Sequence, residues 1–212
     1  MYMYPTGIPV YPPPIHHENH HLCFHSWSRT GISSTAVQFM NLMRTLWEQH
    51  VAWTRMTIIS IAEGLADEEQ TTKRLLRNVP DMGAIFRLFY GNQVAARFET
   101  LFRDHLVLAA QLVKAAKAGD DAKVAEINKK WYANADELAK FFSSINPYWP
   151  ENEMKKMLYE HLDMTKAEAI YRLHKDYASD IAAYDRIEQQ ALAMADMFSQ
   201  GFMKQFPSAF NA

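Results

Sequence analysis

LWEQHVAWTRMTIISI, residues 46–61, is the middle of a predicted long helix, and it places one histidine among core residues. At helical spacing, Trp47, His50 and Ile61 fall on one stripe together with two threonines. His50 therefore points in the same direction as the apolar residues around it. The sequence predicts a helix with a buried polar residue near its centre.

Two later helices repeat this pattern. The helix predicted over 92–118 has the clearest seam, in which apolar residues alternate by three and four around His105. This seam consists of Val94, Phe98, Leu101, His105, Leu108, Leu112 and Ala115. The helix that follows Pro150 places His161 on its inward stripe, followed by Thr165 and Glu168 at one and two further turns. The three histidines are therefore predicted to face one core.

The fold class predicted from these stripes is all-α: an antiparallel bundle of four or five long helices in one domain, residues 34–212. The first long helix is expected over about 34–65, and two short helices, near 67–78 and 82–90, connect it to the second. Long helices follow over about 92–118, 120–145, 151–174 and 175–204. No glycine or proline lies between Pro150 and Gly201, so one long kinked helix is the alternative to the last two.

Residues 1–33 differ in composition from the rest of the chain. Five of the nine prolines lie here between tyrosines, and proline removes backbone donors and favours extended conformations. We expect a disordered tail. Its histidine cluster predicts weak binding of transition metals, and adventitious affinity of a flexible polar tail is the alternative. The cluster consists of His16, His17, His20, His21 and His25.

The overall composition excludes several classes of protein. The formal net charge is -2 and no basic block is present, which argues against nucleic-acid binding. No run approaches the roughly 18 apolar residues of a membrane span. The start of the chain lacks the features of a signal peptide, so a cytoplasmic location is expected. Cys23 is the only cysteine, which excludes an intrachain disulfide and a thiolate zinc cluster.

Mid-helix residues of an antiparallel bundle lie at one level, and this predicts a buried polar layer. His50, His105 and His161 lie near the middle of their helices. Imidazole together with a carboxylate suits zinc, iron, manganese or copper. We therefore predict a metal site with the three histidines as ligands, completed by Glu168 or Glu188. The residues expected to lie around these ligands or to line the pocket are Asn134, Asp136, Thr165, Tyr184, Asp185 and Arg55.

Two alternatives to a zinc, iron or manganese site remain open at this stage. Buried polar groups must satisfy one another, hold water or hold a ligand, because an unpaired one costs on the order of 1–3 kcal/mol. The layer could be a polar network in a non-catalytic structural or interaction protein of a surface or coat layer, with a partner bound through the tail. It could also line a pocket for a small organic ligand. A homo-oligomer is compatible with each alternative.

Several segments resemble a family of small bacterial all-helical proteins without an assigned function. They are LWEQHVAWTR, FETLFRDHLVLAAQLVKAAKAGD, KWYANADELAKF, INPYW, MLYEHLDMTKAEAIYRL and MADMFSQGFMKQFP, and together they cover about residues 46–207. Some members of that family are labelled acetylglutamate kinase. That label implies an α/β sandwich with glycine-rich turns after strands, whereas this chain has seven glycines and no strand pattern. The resemblance implies one helical domain and carries no reaction.

Overall fold

The computed structural model describes residues 33–210, which contain six α-helices, a short 3-10 helix and no strand. The all-α bundle predicted from the sequence is confirmed. The helices are α1 (Ser34–Glu63), α2 (Glu68–Leu76), α3 (Asn78–Lys117), α4 (Asp121–Ile145), α5 (Glu151–Leu173) and α6 (Tyr177–Gln205). The 3-10 helix, Pro207–Ala209, ends the described chain.

Local sequence determines where these helices begin and end. The Ser33 hydroxyl accepts a hydrogen bond from the amide of Ala36 at the start of α1, and Gly64 ends that helix with a φ of 68°. A left-handed conformation of this kind suits glycine, which has no Cβ. Between α5 and α6, Lys175 has a φ of 61°, so the two helices are separate and the single kinked helix is excluded.

The long helix α3 is interrupted at Gly91, whose φ of 82° and ψ of 177° are not helical. Gly91 therefore divides α3 into a short part, 78–90, and a long part, 92–117, as the sequence predicts. The short part begins at Asn78 and not near residue 82, and it includes Pro80. Pro80 lies in the first turn of α3, where proline is tolerated because the first amides of a helix lack an intrahelical partner.

The long helices form a ring in which each packs against its neighbours. Contacts join α1 to α3, α3 to α4, α4 to α5, α5 to α6, and α6 back to α1, while α2 packs against α1 and α3. The interior is one large apolar core with many aromatic side chains, among them Trp131, Trp149, Phe86 and Phe198. Side chains from all five long helices therefore meet inside the ring.

Two expectations from the sequence concern the membrane and the N-terminal segment. No helix in residues 33–210 is long and apolar enough to cross a membrane. The N-terminal histidine cluster lies outside the described residues.

Candidate functional site

The three predicted histidines meet in the middle of the bundle. His50 of α1, His105 of α3 and His161 of α5 line one cavity of about 40 Å³, which we call the histidine cavity. Each is buried, and the His50 and His161 ring centroids are 5.9 Å apart. The rest of the wall is apolar: Trp47, Met82, Phe98, Phe102, Leu138, Phe142, Leu158, Met194 and Phe198.

His105 is oriented by an amide on the neighbouring helix α4. Its Nδ1 lies 3.0 Å from Oδ1 of Asn134, and Nδ2 of Asn134 donates to the carbonyl of Leu101 over 3.0 Å. Because that donation identifies the Asn134 nitrogen, its oxygen must accept the hydrogen of Nδ1. His105 is therefore the Nδ1–H tautomer, and its Nε2 keeps a free lone pair.

His161 is oriented in the same way from α6. Its Nδ1 lies 3.1 Å from Oε1 of Gln190, and Nε2 of Gln190 donates to the carbonyl of Met157 over 3.4 Å. The same reasoning assigns the hydrogen to Nδ1 of His161 and the lone pair to Nε2. Two histidines on different helices therefore have matching tautomers, each held by an amide that is itself held by a backbone carbonyl.

His50 differs from the other two. Its Nδ1 is buried and has no hydrogen-bond partner among the described residues. Its ring packs against that of Phe102, with centroids 5.3 Å apart. A buried polar atom without a partner is uncommon and calls for an explanation. His50 is the histidine whose orientation is least determined by hydrogen bonds.

Burial keeps these imidazoles neutral. It is the main cause that lowers the pKa of His50 well below its ordinary value, and the nearby His161 and His105 add to the effect. Burial and His161 lower the pKa of His105 to about 4, against the effect of the Asn134 hydrogen bond. Burial also lowers the pKa of His161. At neutral pH the cavity therefore presents uncharged nitrogen donors.

Glu168, one of the two predicted carboxylate ligands, does not line the histidine cavity. Its carboxylate accepts a hydrogen bond of 2.6 Å from Nη1 of Arg55, which also contacts Asp180 at 2.7 Å. Arg172 joins the same group through Asp180 and Glu63. We call these five residues the Arg55 cluster. Burial raises the pKa of Glu168 to about 7, although Arg55 acts in the opposite direction.

Glu188, the other predicted carboxylate, faces a second carboxylate. Burial, and then the neighbouring Glu188, raises the pKa of Glu48. Tyr184 lies near this pair, with the Arg55 guanidinium 4.8 Å from its ring centroid. Asp185 is exposed. None of these side chains lines the histidine cavity, so the carboxylates predicted to complete the metal shell lie elsewhere.

Three further predicted residues have other roles. Asn134 orients His105, as described. Thr165 is buried and its hydroxyl donates to the carbonyl of His161 one turn earlier. Asp136 accepts from the hydroxyl of Tyr159 and pairs with Lys155 at 2.7 Å, outside the cavity.

The side chains around the histidine cavity determine which metal ions it suits. Residues 33–210 contain no group of three or more His, Cys, Asp or Glu side chains placed together to hold a metal ion. The cavity wall adds no carboxylate, but it does contain the thioethers of Met82 and Met194. The arrangement offers nitrogen and sulfur donors in an apolar setting.

The sequence prediction missed several residues of these polar groups, including Gln190, Asp180 and Glu63. Gln190 lies off the apolar stripe of α6, and only the presence of His161 on the facing helix gives it a role. Asp180 is 1% exposed, but its position in the first turn of α6 is also typical of an acidic residue near a helix N-terminus. The contacts of Gln190 and Asp180 depend on the position of a neighbouring helix, and the apolar stripe of one helix does not specify that position.

Comparisons with known proteins returned no family model, no curated protein and no solved structure that matches this chain. The geometry of the histidine cavity and its surroundings is therefore the basis for assigning a function.

Proposed function

We propose that this bundle is a metal-binding protein that holds one transition-metal ion in the histidine cavity. Nε2 of His105 and Nε2 of His161 are the first two ligands, and His50 is the third. The observation that carries the proposal is the pair of oriented tautomers, in which an amide oxygen takes the Nδ1 hydrogen of each ring.

Metal sites are commonly built in this way. A histidine that binds a metal almost always donates its other ring N–H to a carboxylate, a carbonyl or water, which sets the tautomer and the ring orientation. Asn134 and Gln190 supply carbonyl oxygens for this purpose. The lowered pKa values of His105 and His161 support the same proposal. A metal ion binds the neutral imidazole, so at pH 7 it does not have to displace a proton.

His50 supplies the adjustable part of the site. Two imidazoles on one ion, each with a metal–nitrogen bond of about 2.0 Å, have ring centroids roughly 5–6 Å apart. The 5.9 Å between His50 and His161 is within this range. Since Nδ1 of His50 has no partner, its ring can rotate towards an ion without breaking a hydrogen bond. Metal binding therefore requires a local rearrangement of His50 and leaves the helices in place.

The chemistry of the wall favours copper(I) over the zinc, iron or manganese first considered. Manganese prefers carboxylate and carbonyl oxygen, which the cavity lacks, whereas imidazole suits copper and thioether sulfur selects copper(I). Met82 and Met194 both line the cavity. Burial of a singly charged ion without a counter-charge also costs less free energy than burial of a doubly charged ion. Zinc is the second ion to test.

The test uses the full chain with its five N-terminal histidines replaced by asparagine and Cys23 by serine, so that these residues contribute no metal binding. This protein is titrated with copper(I) under reducing conditions and separately with zinc, then desalted and analysed for metal. We expect about one copper per chain. The double variant His105→Leu/His161→Leu should retain none, whereas His174→Asn, which alters an exposed histidine, should bind like its parent.

Two results would contradict the proposal: no copper or zinc retained by the parent, or equal retention by the double variant. Either one would favour the alternative of a non-catalytic structural or interaction protein, whose buried histidines serve only its core.

A further inference from the structure

A second cavity of about 100 Å³ lies among α1, α3, α4 and α5. We call it the threonine cavity, because Thr54, Thr57 and Thr165 line it. It also borders a small apolar cluster that is separate from the main core and consists of Ile58, Ile61, Val113 and Ala169. Most of its wall is therefore hydrocarbon, with a few hydroxyl groups.

The hydroxyl groups of this cavity are available as acceptors only. Thr54, Thr57 and Thr165 each donate to the backbone carbonyl one turn earlier, over 2.8, 2.8 and 2.9 Å. Their oxygens keep lone pairs. Trp131, which also lines the cavity, is 2% exposed, and its Nε1 has no acceptor among the described residues. The indole therefore offers a buried donor that the protein leaves unused.

The charge of the wall excludes an ionic ligand. Lys166 is the charged side chain that lines the cavity, and its ammonium group already contacts the hydroxyl of Tyr132 at 3.1 Å and the carboxylate of Asp163 at 3.2 Å. An anion would find no unpaired cation, and a cation would find no carboxylate. Burial of an unpaired charge is strongly unfavourable, so the ligand must be neutral.

Size narrows the class of ligand further. An engineered apolar cavity of about 150 Å³ binds benzene, so a cavity of about 100 Å³ suits a molecule of similar or slightly smaller size. Ile170, which lines the cavity, is 43% exposed, so the cavity reaches the surface on one side. We propose that the threonine cavity binds a small uncharged organic molecule, mostly hydrocarbon, whose one carbonyl or hydroxyl oxygen accepts the Trp131 Nε1 hydrogen.

This site is a neighbour of the histidine cavity. Thr54 follows His50 by one turn, Thr165 follows His161 by one turn, and the ring of Trp131 lies 5.5 Å from that of His105. A molecule in the threonine cavity would therefore lie next to the three histidines. The proposal does not depend on a metal, and its test uses metal-free protein.

The experiment titrates the chelator-treated full chain with cyclopentanone and with cyclopentane, and follows the methyl groups by NMR. We expect saturable shifts at the methyls of Ile58, Ile61 and Val113 for both probes. The exposed methyls of Leu88 should not respond. Shifts that do not saturate, or that spread equally to Leu88, would overturn the proposal without the use of any variant.

Two variants locate the ligand and its oxygen. Ala110→Leu fills the threonine cavity and should weaken binding of both probes at least tenfold, whereas Ala167→Leu, at a half-buried residue that lines neither cavity, should not. Trp131→Phe removes the donor. The affinity for cyclopentanone should fall about tenfold relative to the affinity for cyclopentane, since one hydrogen bond is lost. An unchanged ratio would overturn the role of Trp131, and unchanged affinity in Ala110→Leu would overturn the site.

Discussion

Arg55 and His50 lie five residues apart on α1, and each belongs to a buried polar group, but the two groups satisfy their side chains differently. Arg55 is charged and bonds to Glu168 and Asp180, so each charge meets an opposite one. His50 is neutral, and its Nδ1 has no partner. In the Arg55 cluster each carboxylate contacts a guanidinium, although Nε of Arg172 has no partner, whereas the histidine cavity contains no charged pair and leaves Nδ1 of His50 unpaired.

This difference suggests how to divide structural from functional roles. A network in which every member is paired specifies how helices pack, because removal of one member leaves another unpaired. A group that retains unpaired atoms contributes less to stability, and its retention indicates a ligand. We therefore expect substitutions in the Arg55 cluster to affect stability, and substitutions in the histidine cavity to affect mainly binding.

The largest expected effect is that of Arg55→Met. This change leaves Glu168, which is 2% exposed at its side chain, without its cation, and leaves Asp180, which is 1% exposed, with Arg172 at 3.4 Å. Loss of one partner of a buried ion pair typically costs about 3–5 kcal/mol. Urea denaturation at pH 7 measures the loss. Arg44→Met is the matched control, because Arg44 pairs with Asp196 at the surface and should cost less than about 1 kcal/mol.

The pH dependence of the metal-free protein should also separate the two groups. Burial lowers the pKa of all three histidines, so below about pH 6.5 the unfolded chain binds more protons than the folded chain. Their contribution is complete above that pH and is lost as the pH falls towards the folded value, about 4 for His105. Protonation of the histidines should therefore lower the free energy of unfolding as the pH falls from 6.5 to 5.

Glu168 acts in the opposite direction and supplies the control. Its pKa is raised to about 7, so the folded state binds more protons than the unfolded state between pH 4.5 and 7, and its contribution declines as the pH rises. Glu168→Gln should therefore make the loss of stability on acidification steeper than in the wild type. A stability of Glu168→Gln that is flat from pH 6.5 to 5 would contradict the neutral state of the histidines.

A smaller effect is expected from Asn134→Ala. The variant leaves the Nδ1 hydrogen of His105 without a partner, which costs about 1–3 kcal/mol. It should also weaken metal binding about 10- to 100-fold, because His105 loses its orientation. Asn128→Ala on the same helix, outside both cavities, should leave the metal affinity unchanged. A variant that loses stability and keeps its full metal affinity would show that Asn134 is structural only.

The sequence predicts the helix ends well because they depend on adjacent residues. Ser33 and Gly64 bound α1, and Gly119 with Asp120 separate α3 from α4, as expected from capping and left-handed glycine. The seam of α3 also places His105 correctly. These features need no knowledge of a neighbouring helix.

The partners of the inward residues are harder to predict, because helical phase gives direction but not depth. Glu168 shares the inward face of α5 with His161, but seven residues at about 1.5 Å of rise each place it about 10 Å further along the axis. At that depth it meets Arg55. Gln190 lies off its own stripe and still reaches His161. Both outcomes depend on the axial offsets of the helices, which one sequence does not specify.

The smallest expected effect is also the sharpest test of the comparison. His50→Leu replaces a buried imidazole, whose Nδ1 has no partner, by an apolar side chain of similar size. Removal of an unsatisfied buried polar group is often neutral or stabilising, so we expect a change between zero and about 1 kcal/mol in favour of the folded state. Metal binding should nevertheless fall, because the third ligand is lost. A gain in stability with a loss of binding is the trade-off expected when a functional residue is kept at a cost in stability. Urea denaturation and metal analysis on the same preparation measure the two effects. A loss of 2 kcal/mol or more in metal-free protein would mean that His50 is satisfied within the core, and the contrast between the two polar groups would then fail.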